Sequence, residues 1–292
     1  MGLLDEKVAV VTGAGRGIGR GEALELAREG ACVVVSDLDA DAAADVAEQI
    51  VQAGGLAIPH VGDVSEIEVA DELVAGAVST FGGLDALVNN AGVLRDRTLV
   101  RMSPDQWDEV IRVHLRGHFA PTRAACAWWK DHARPGRIVC TTSTSGLLGM
   151  FGQANYGAAK AGVAVFSGIV ALEMARLGVT CNAIAPAART RLTEGALPAP
   201  ADGAFDFWDA DNVAPFVAFL CSDQAAHISG KIFGVVGDAV EIYQSYVSAH
   251  VIQNGGVRWT AADLGGRVSE LFDVAGIPAE VENPADKIRF TV

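Results

Sequence analysis

Basic residues are scarce in this chain of 292 residues: 22 Lys and Arg stand against 36 Asp and Glu, a formal net charge of −14. Binding a nucleic-acid backbone draws on a basic surface, so a nucleic-acid partner is excluded. The same balance gives no general pull on an anionic substrate, which would need local Arg or Lys. Cysteines are few and scattered, at Cys32, Cys126, Cys140, Cys181 and Cys221. An odd, dispersed set in apolar segments reads as free thiols in a reducing compartment, not as a disulfide framework. Cys and His show no metal-ligand spacing, so no metal is expected. No run of about 18 apolar residues is seen to span a membrane. Asp5 and Glu6 lead into an apolar strand pattern at Val8, which leaves no room for a signal peptide. These absences predict a cytoplasmic protein without a membrane partner. No repeat or low-complexity tract appears.

What is present is apolar. Hydrophobic residues make up 50% and charged ones 20%, enough for a sizeable core. Short β-branched runs at 8–12, 32–36, 57–61, 86–89, 137–141, 180–185 and 232–236 alternate with longer Ala- and Leu-rich helical patterns. Runs without polar alternation suit a parallel sheet covered on both faces. Their order with the helices predicts an α/β fold: a doubly wound, parallel, seven-stranded sheet of the Rossmann type over 1–237. Residues 238–292 read as an extension of the same domain, with helical spacing at Leu264, Val268, Leu271 and Phe272. Ser103-Pro104-Asp105-Gln106 predicts a helix start with a capping box, after which Trp107, Val110, Ile111 and His114 follow at helical spacing. Residues 198–211, rich in Pro, Ala and Asp, read as a loop.

The first strand runs into Gly13-Ala14-Gly15-Arg16-Gly17-Ile18-Gly19, followed by a helical pattern. Such a turn lets backbone approach a pyrophosphate, and the helix N-terminus offers N–H groups and a positive dipole to it. Asp37 closes the second strand about 20 residues on. A carboxylate there accepts hydrogen bonds from ribose hydroxyls and repels a 2′-phosphate, which favours NAD over NADP. Arg16 pulls the other way, but a carboxylate touching the ribose outweighs a solvated guanidinium.

Tyr156 and Lys160 stand four apart in a helical pattern and so share a face. A phenol with a pKa of about 10 is a poor base at neutral pH, and a nearby ammonium favours the phenolate. Ser143, just past the fifth strand, can donate a hydrogen bond to a substrate oxygen.

The segments 12–19, Asn89-Asn90-Ala91-Gly92, Ser143 and Tyr156-x-x-x-Lys160 resemble the short-chain dehydrogenase/reductase family, in order and at family spacing, over about residues 2–237. The resemblance implies hydride transfer between a nicotinamide dinucleotide and a secondary alcohol or ketone. In it Tyr156 is the general acid/base, Ser143 polarises the carbonyl oxygen, and Lys160 holds the nicotinamide ribose and lowers the Tyr156 pKa. It also implies cofactor contacts at Gly13, Arg16, Gly17, Ile18, Gly19, Asp37, Asp63, Val64, Asn90, Ala91, Gly92 and Pro186. A homodimer or homotetramer follows from it too, with the helix of Tyr156 near a subunit contact.

One position departs from the family, which usually has Asn where this chain has His114. An imidazole there is either a proton relay near neutral pH or a buried, hydrogen-bonded histidine. His114, the 89–97 stretch and Cys181-Asn182-Ala183-Ile184-Ala185-Pro186-Ala187 are similar to a subgroup. It comprises the (3R)-hydroxyacyl-CoA dehydrogenase region of peroxisomal multifunctional enzyme type 2 and its bacterial stand-alone relatives. The resemblance implies a 3-hydroxyacyl-CoA or hydroxysteroid substrate. Phe205, Phe207 and Trp208 are either an apolar pocket wall or loop anchors. Arg95, Arg97, Arg189 and Arg191 are either partners for CoA phosphates or solvated charges. Two other readings stay open: reduction of a 3-oxoacyl thioester on acyl-carrier protein with NADPH, and a non-catalytic dinucleotide-sensing module.

Overall fold

The computed structural model describes residues 2–190, 198, 200, 203–244 and 246–287. Seven parallel strands form where the apolar runs predict them: β1 (Val8–Thr12), β2 (Cys32–Asp37), β3 (Leu56–Val61), β4 (Ala86–Asn89), β5 (Arg137–Thr141), β6 (Thr180–Pro186) and β7 (Ile232–Val236). An eighth, β8 (Ala239–Tyr243), corrects the expected count of seven and carries the sheet past residue 237. It folds back antiparallel on β7, with Val236 facing Ala239 across the two-residue turn Gly237-Asp238. Gly237 takes φ +54°, the left-handed backbone that such hairpin turns require. Alternate β8 residues Val240 and Ile242 are exposed, as suits an edge strand.

The sheet order is β3-β2-β1-β4-β5-β6-β7-β8. Chain direction across the sheet reverses between β1 and β4, and crevices for ligands open at the carboxyl ends of strands at such a point. Helices α1 (Gly17–Arg28), α2 (Ala40–Gln52) and α8 (Ala214–Cys221) cover one face. There Val11, Leu26, Val33, Val35, Ile50 and Leu220 build one apolar layer. The other face carries α3 (Ile67–Phe81), α5 (Gly117–Asp131) and α7 (Ala154–Met174) over Val10, Leu73, Leu87, Trp129, Ile138 and Val163.

The predicted helix start at Ser103 is borne out. In α4 (Pro104–Val110) the Ser103 side chain accepts from Gln106 N–H and the Gln106 side chain accepts from Ser103 N–H. The helix then passes through a π-helical turn, Ile111–Arg116, before α5 resumes. Such turns insert one extra residue and re-aim side chains. A short helix, α6 (Thr144–Leu148), begins at Ser143, whose side chain accepts from Ser145 N–H.

Contrary to the expectation of no long apolar run, Ala154–Leu177 is long and apolar enough to cross a membrane by length and composition, with a mean hydropathy of 1.5. Its apolarity comes from small residues spread along a helix that also buries Asn155, Lys160 and Ser167 while packing on β5 and β6.

Residues 244–291 form a second compact unit. It holds α9 (Ala261–Arg267), closed by a Thr260–Asp263 capping box, and α10 (Ser269–Ala275), ended by Gly276 at φ +66°. Arg267 pairs with Glu270 and lies 5.2 Å over the Trp259 ring.

Candidate active site at the carboxyl ends of the strands

The glycine turn after β1 is tied to the segment after β4. Thr12 Oγ1 accepts from Asn90 N–H (3.0 Å) and Ala91 N–H (3.2 Å). Asn90 Nδ2 donates to Thr12 O and Gly13 O. Gly13 sits at φ +63°, and a Cβ there would stand 2.7 Å from Ala91 Cα. At Gly19 a Cβ would meet Asn90 Nδ2 and Gly13 O at 2.3 Å, so only glycine fits. Among the described residues no side chain caps α1 at Arg16, which leaves the N–H groups of its first turn for an anion. Ile18 is half-buried behind that turn. This cradle fits a dinucleotide pyrophosphate.

Asp37 lies where the pattern predicts. Its Oδ2 accepts from Gly15 N–H (2.9 Å) and its Oδ1 from Asp39 N–H (3.0 Å). Arg16 is drawn to Asp39 at 2.6 Å, so its guanidinium already has a carboxylate partner. Asp63 accepts from Ser65 N–H and Oγ and pairs with Arg112, with Val64 buried beside it. Burial alone would raise the Asp63 carboxyl, but these donors outweigh it and hold the group below its ordinary value. Pro186 ends β6 beside Val235.

On the substrate side, Tyr156 and Lys160 share a face of α7 over the end of β5. Burial raises the Tyr156 phenol above its ordinary value, the Ser143 hydroxyl opposes that, and the charge of Asp96 adds to it. Lys160 is 2% exposed and donates to Thr141 O at 2.6 Å, with Nζ 5.6 Å from the Tyr156 ring centroid. Burial pulls its ammonium down to about 7, so at neutral pH the amine carries a partial charge. The spacing of four thus brings the pair together, but no direct Tyr–Lys hydrogen bond forms among the described residues.

The π-helical turn points His114 inward, against the Tyr156 ring edge at 5.1 Å between centroids. Its Nε2 lies 3.0 Å from Val93 N and 2.7 Å from Val93 O. One nitrogen makes one of these bonds at a time, accepting or donating according to its tautomer. Gly92 is packed on the same ring, where a Cβ would come within 2.5 Å of Cε1. Burial, and then Lys160, lower His114 well below its ordinary value, so the neutral ring is the form present. One turn on, His118 accepts from Thr141 N–H, and burial takes it down to about 3.

Asn155, quoted in the motif but given no role by sequence alone, is fully buried. It donates to Arg95 O and Gln106 O and accepts from Tyr156 N–H at 2.8 Å. Its place directly before Tyr156 was the only local signal.

The three candidate arginines among the described residues are each engaged elsewhere. Arg95 is held by both oxygens of Glu109, and Arg189 pairs with Asp206 and donates to Pro198 O. Arg97 donates to Asp96 O, and Arg191 lies outside the described residues. Of the aromatics, Phe205 is exposed. Phe207 fills the space a Gly237 Cβ would take, and Trp208 O accepts from Arg189 N–H. The last two anchor the segment.

A family model described as short chain dehydrogenase matches residues 7–197. "Hydroxyacyl-CoA dehydrogenase ChsB1" of Mycobacterium tuberculosis is 44% identical over 92% of this chain and 89% of its own. "Peroxisomal multifunctional enzyme type 2" of Mus musculus is 42% identical over 79% of this chain, which spans 32% of that protein. The crystal structure of a short chain dehydrogenase from Mycobacterium avium superposes with TM-score 0.87 at 44% identity, covering 96% of this chain and 99% of that one. The chain is therefore an oxidoreductase and belongs to the short-chain dehydrogenase family, whose members use nicotinamide dinucleotides.

Proposed function

We propose that this chain oxidises the 3-hydroxyl of an acyl-CoA thioester to a ketone, with NAD as hydride acceptor. The observation that carries the reaction class is Tyr156 one helical turn from Lys160, whose Nζ lies 5.6 Å from the Tyr156 ring centroid, with Ser143 acting on the same phenol. The thioester reading is supported by the name of the M. tuberculosis relative, which matches nearly end to end. NAD is supported by the Asp37 carboxylate at the end of β2 and by the engagement of Arg16 with Asp39.

A dinucleotide with its pyrophosphate in the glycine cradle would supply the hydride acceptor. Tyr156 takes the hydroxyl proton at its phenol oxygen while Ser143 donates to the same substrate oxygen. Lys160, anchored on Thr141 O, places a partial positive charge 5.6 Å from the Tyr156 ring centroid. His114 acts as a clamp: neutral, and bonded to Val93, it fixes the backbone that leads from Asn90 to the substrate side. The exposed apolar residues Val165, Ile169 and Leu172 on α7, beside the Phe119–Phe166 contact, suit the homo-oligomer that the family implies.

The test follows NADH formation with 3-hydroxyacyl-CoAs and hydroxysteroids, using NAD and NADP in parallel. Turnover of the thioester with NAD, lost in Tyr156→Phe, is expected, and Asp37→Ser should narrow the preference for NAD by roughly tenfold or more. Faster reduction of 3-oxoacyl thioesters with NADPH overturns the reading in favour of a reductase. Dinucleotide binding without turnover of any substrate points to a sensor.

A further inference from the structure

A fully buried histidine that this mechanism does not use is bonded to the strand end that anchors Lys160. His118 lies on α5, 0% exposed, one turn past His114. Strand β4 pairs with β5 from Ala86–Arg137 to Asn89–Cys140, and there the ladder ends. The residues that follow β4, Asn90 and Ala91, turn their N–H groups to Thr12 Oγ1 at the glycine cradle. Thr141 O, one residue past the last rung on β5, is taken up instead by Lys160 Nζ at 2.6 Å. The N–H of the same residue donates to His118 Nε2 at 3.3 Å. In an extended strand the N–H and C=O of one residue point to the same side, so His118 and Lys160 hold the same edge of Thr141. Helix α5 grips this end of the ladder at two successive turns, since Thr122 Oγ1 accepts from Asn89 Nδ2 at 2.9 Å.

Accepting an N–H requires the neutral ring with its proton on Nδ1. Burial, and then the Lys160 charge, keep the ring neutral, its ionisation taken down to about 3. Nδ1 itself is shut off from solvent, without a partner among the described residues. A buried N–H in that position costs stability, and a leucine would fill the space without the cost. What the ring adds over leucine is the bond at Nε2.

We propose that His118 is a positioning residue for Lys160: by accepting from Thr141 N–H it fixes the strand end whose carbonyl holds Lys160 Nζ. Loosening that carbonyl takes an acceptor from the ammonium, so Lys160 gives up its proton at lower pH and carries less charge at neutrality. The titratable groups acting on Lys160 are Tyr156 on its own helix, Cys140 on β5, and the neutral His114 and His118 from the π-helical turn and α5. The proposal rests on reading Lys160 as part of the proton chemistry of this site.

The chain has five lysines, Lys7, Lys130, Lys160, Lys231 and Lys287, so NMR of isotope-labelled lysine Cε follows Lys160 directly, its signal identified by its loss in Lys160→Arg. Three variants separate reach from polarity. His118→Gln sets an amide where Nε2 stands, the amide of His118→Asn reaches only as far as Nδ1, and His118→Leu has none. In the Asn and Leu variants the Lys160 titration should fall by about one pH unit and turnover by about tenfold, with the Gln variant recovering most of both. The Asn variant, which stays polar, carries the test if Leu disturbs folding. A Lys160 titration unmoved by Asn overturns the proposal, and so does one that falls as far with Gln as with Asn. A titration that shifts while turnover stays put upholds the hold of His118 on Lys160 and overturns instead the assignment of Lys160 to the proton chemistry.

Discussion

Glu22 offers a sharp test of the energetics, because it is an acid buried where nothing receives it. It sits mid-way along α1, 0% exposed, and among the described residues neither carboxyl oxygen has a hydrogen-bond partner. Its neighbourhood on α8 includes the buried Cys221, whose thiol is itself pushed up by burial and then by Glu22. Arg137, whose charge also acts on that thiol, is spent on Ser222 O, Gly136 O, Gly178 O and Asp223. Desolvation alone lifts the Glu22 carboxyl from 4.5 to about 8. The folded chain therefore keeps this proton between about pH 4.5 and about pH 8, where the unfolded chain has lost it. In that window folding takes up a proton, so stability falls as pH rises. At 1.36 kcal/mol per unit the full span comes to ~5 kcal/mol, of which ~3 kcal/mol is lost by neutral pH.

Glu22→Gln and Glu22→Met remove the titration while keeping volume. Gln buries an amide without a partner, at a cost of about 1–3 kcal/mol that does not vary with pH. The diagnostic is hence the slope, not the absolute stability. Urea unfolding followed by tryptophan fluorescence at fixed protein concentration, from about pH 5 to about pH 8.5, should show each variant gaining ~3–5 kcal/mol on the parent across the range. His114 and His118, neutral when folded, act in the opposite sense: they favour unfolding as pH drops below about 6.5. They are common to all three proteins and cancel in the difference. Parallel stability–pH curves for parent and variants would show that Glu22 is hydrated or paired in solution, and would refute the reasoning.

Two further outcomes are expected. Gly19→Ala forces a Cβ onto Gly13 O and Asn90 Nδ2, so cofactor affinity by NADH fluorescence should fall at least tenfold and stability by about 1–3 kcal/mol; unchanged affinity would mean the cradle is not the pyrophosphate site. His114→Ala should cut turnover by loosening Val93 without removing a limb near pH 6.5 from the pH–rate profile, and loss of such a limb would reinstate a proton relay.

The strands were legible because parallel, doubly covered strands are apolar end to end and their limits are punctuated by Gly, Asp and Asn. All seven appear within a residue of their expected bounds. β8 escaped because an edge strand alternates and exposes Val240 and Ile242, which reads as loop unless the Gly237-Asp238 pair between two β-branched runs is taken as a hairpin turn. In the candidate site, the residues carried by backbone motif fell where the spacing put them: the glycine turn, Asp37, Asn90, Ser143, Tyr156 and Lys160. The π-helical turn did not show, since one inserted residue leaves no periodic trace, and with it went the inward aim of His114.

Charge pairing was the least legible layer, and it alters the functional picture most. Arg95 finds Glu109, Arg189 finds Asp206, Arg112 finds Asp63 and Gln153 finds Asp96, over separations that no local pattern encodes. Read in sequence, the 95–97 stretch is two cations around one anion, a net basic loop beside the substrate. Read in space, one cation is cancelled by Glu109, the other turns back on the main chain, and the anion is taken up by Gln153 at the start of α7. A loop that looked suited to holding substrate phosphates is thus tied first to the start of α7. An anionic arm of the substrate gains little from Arg95 or Arg189, because each would have to surrender a carboxylate first and so exchange one ion pair for another.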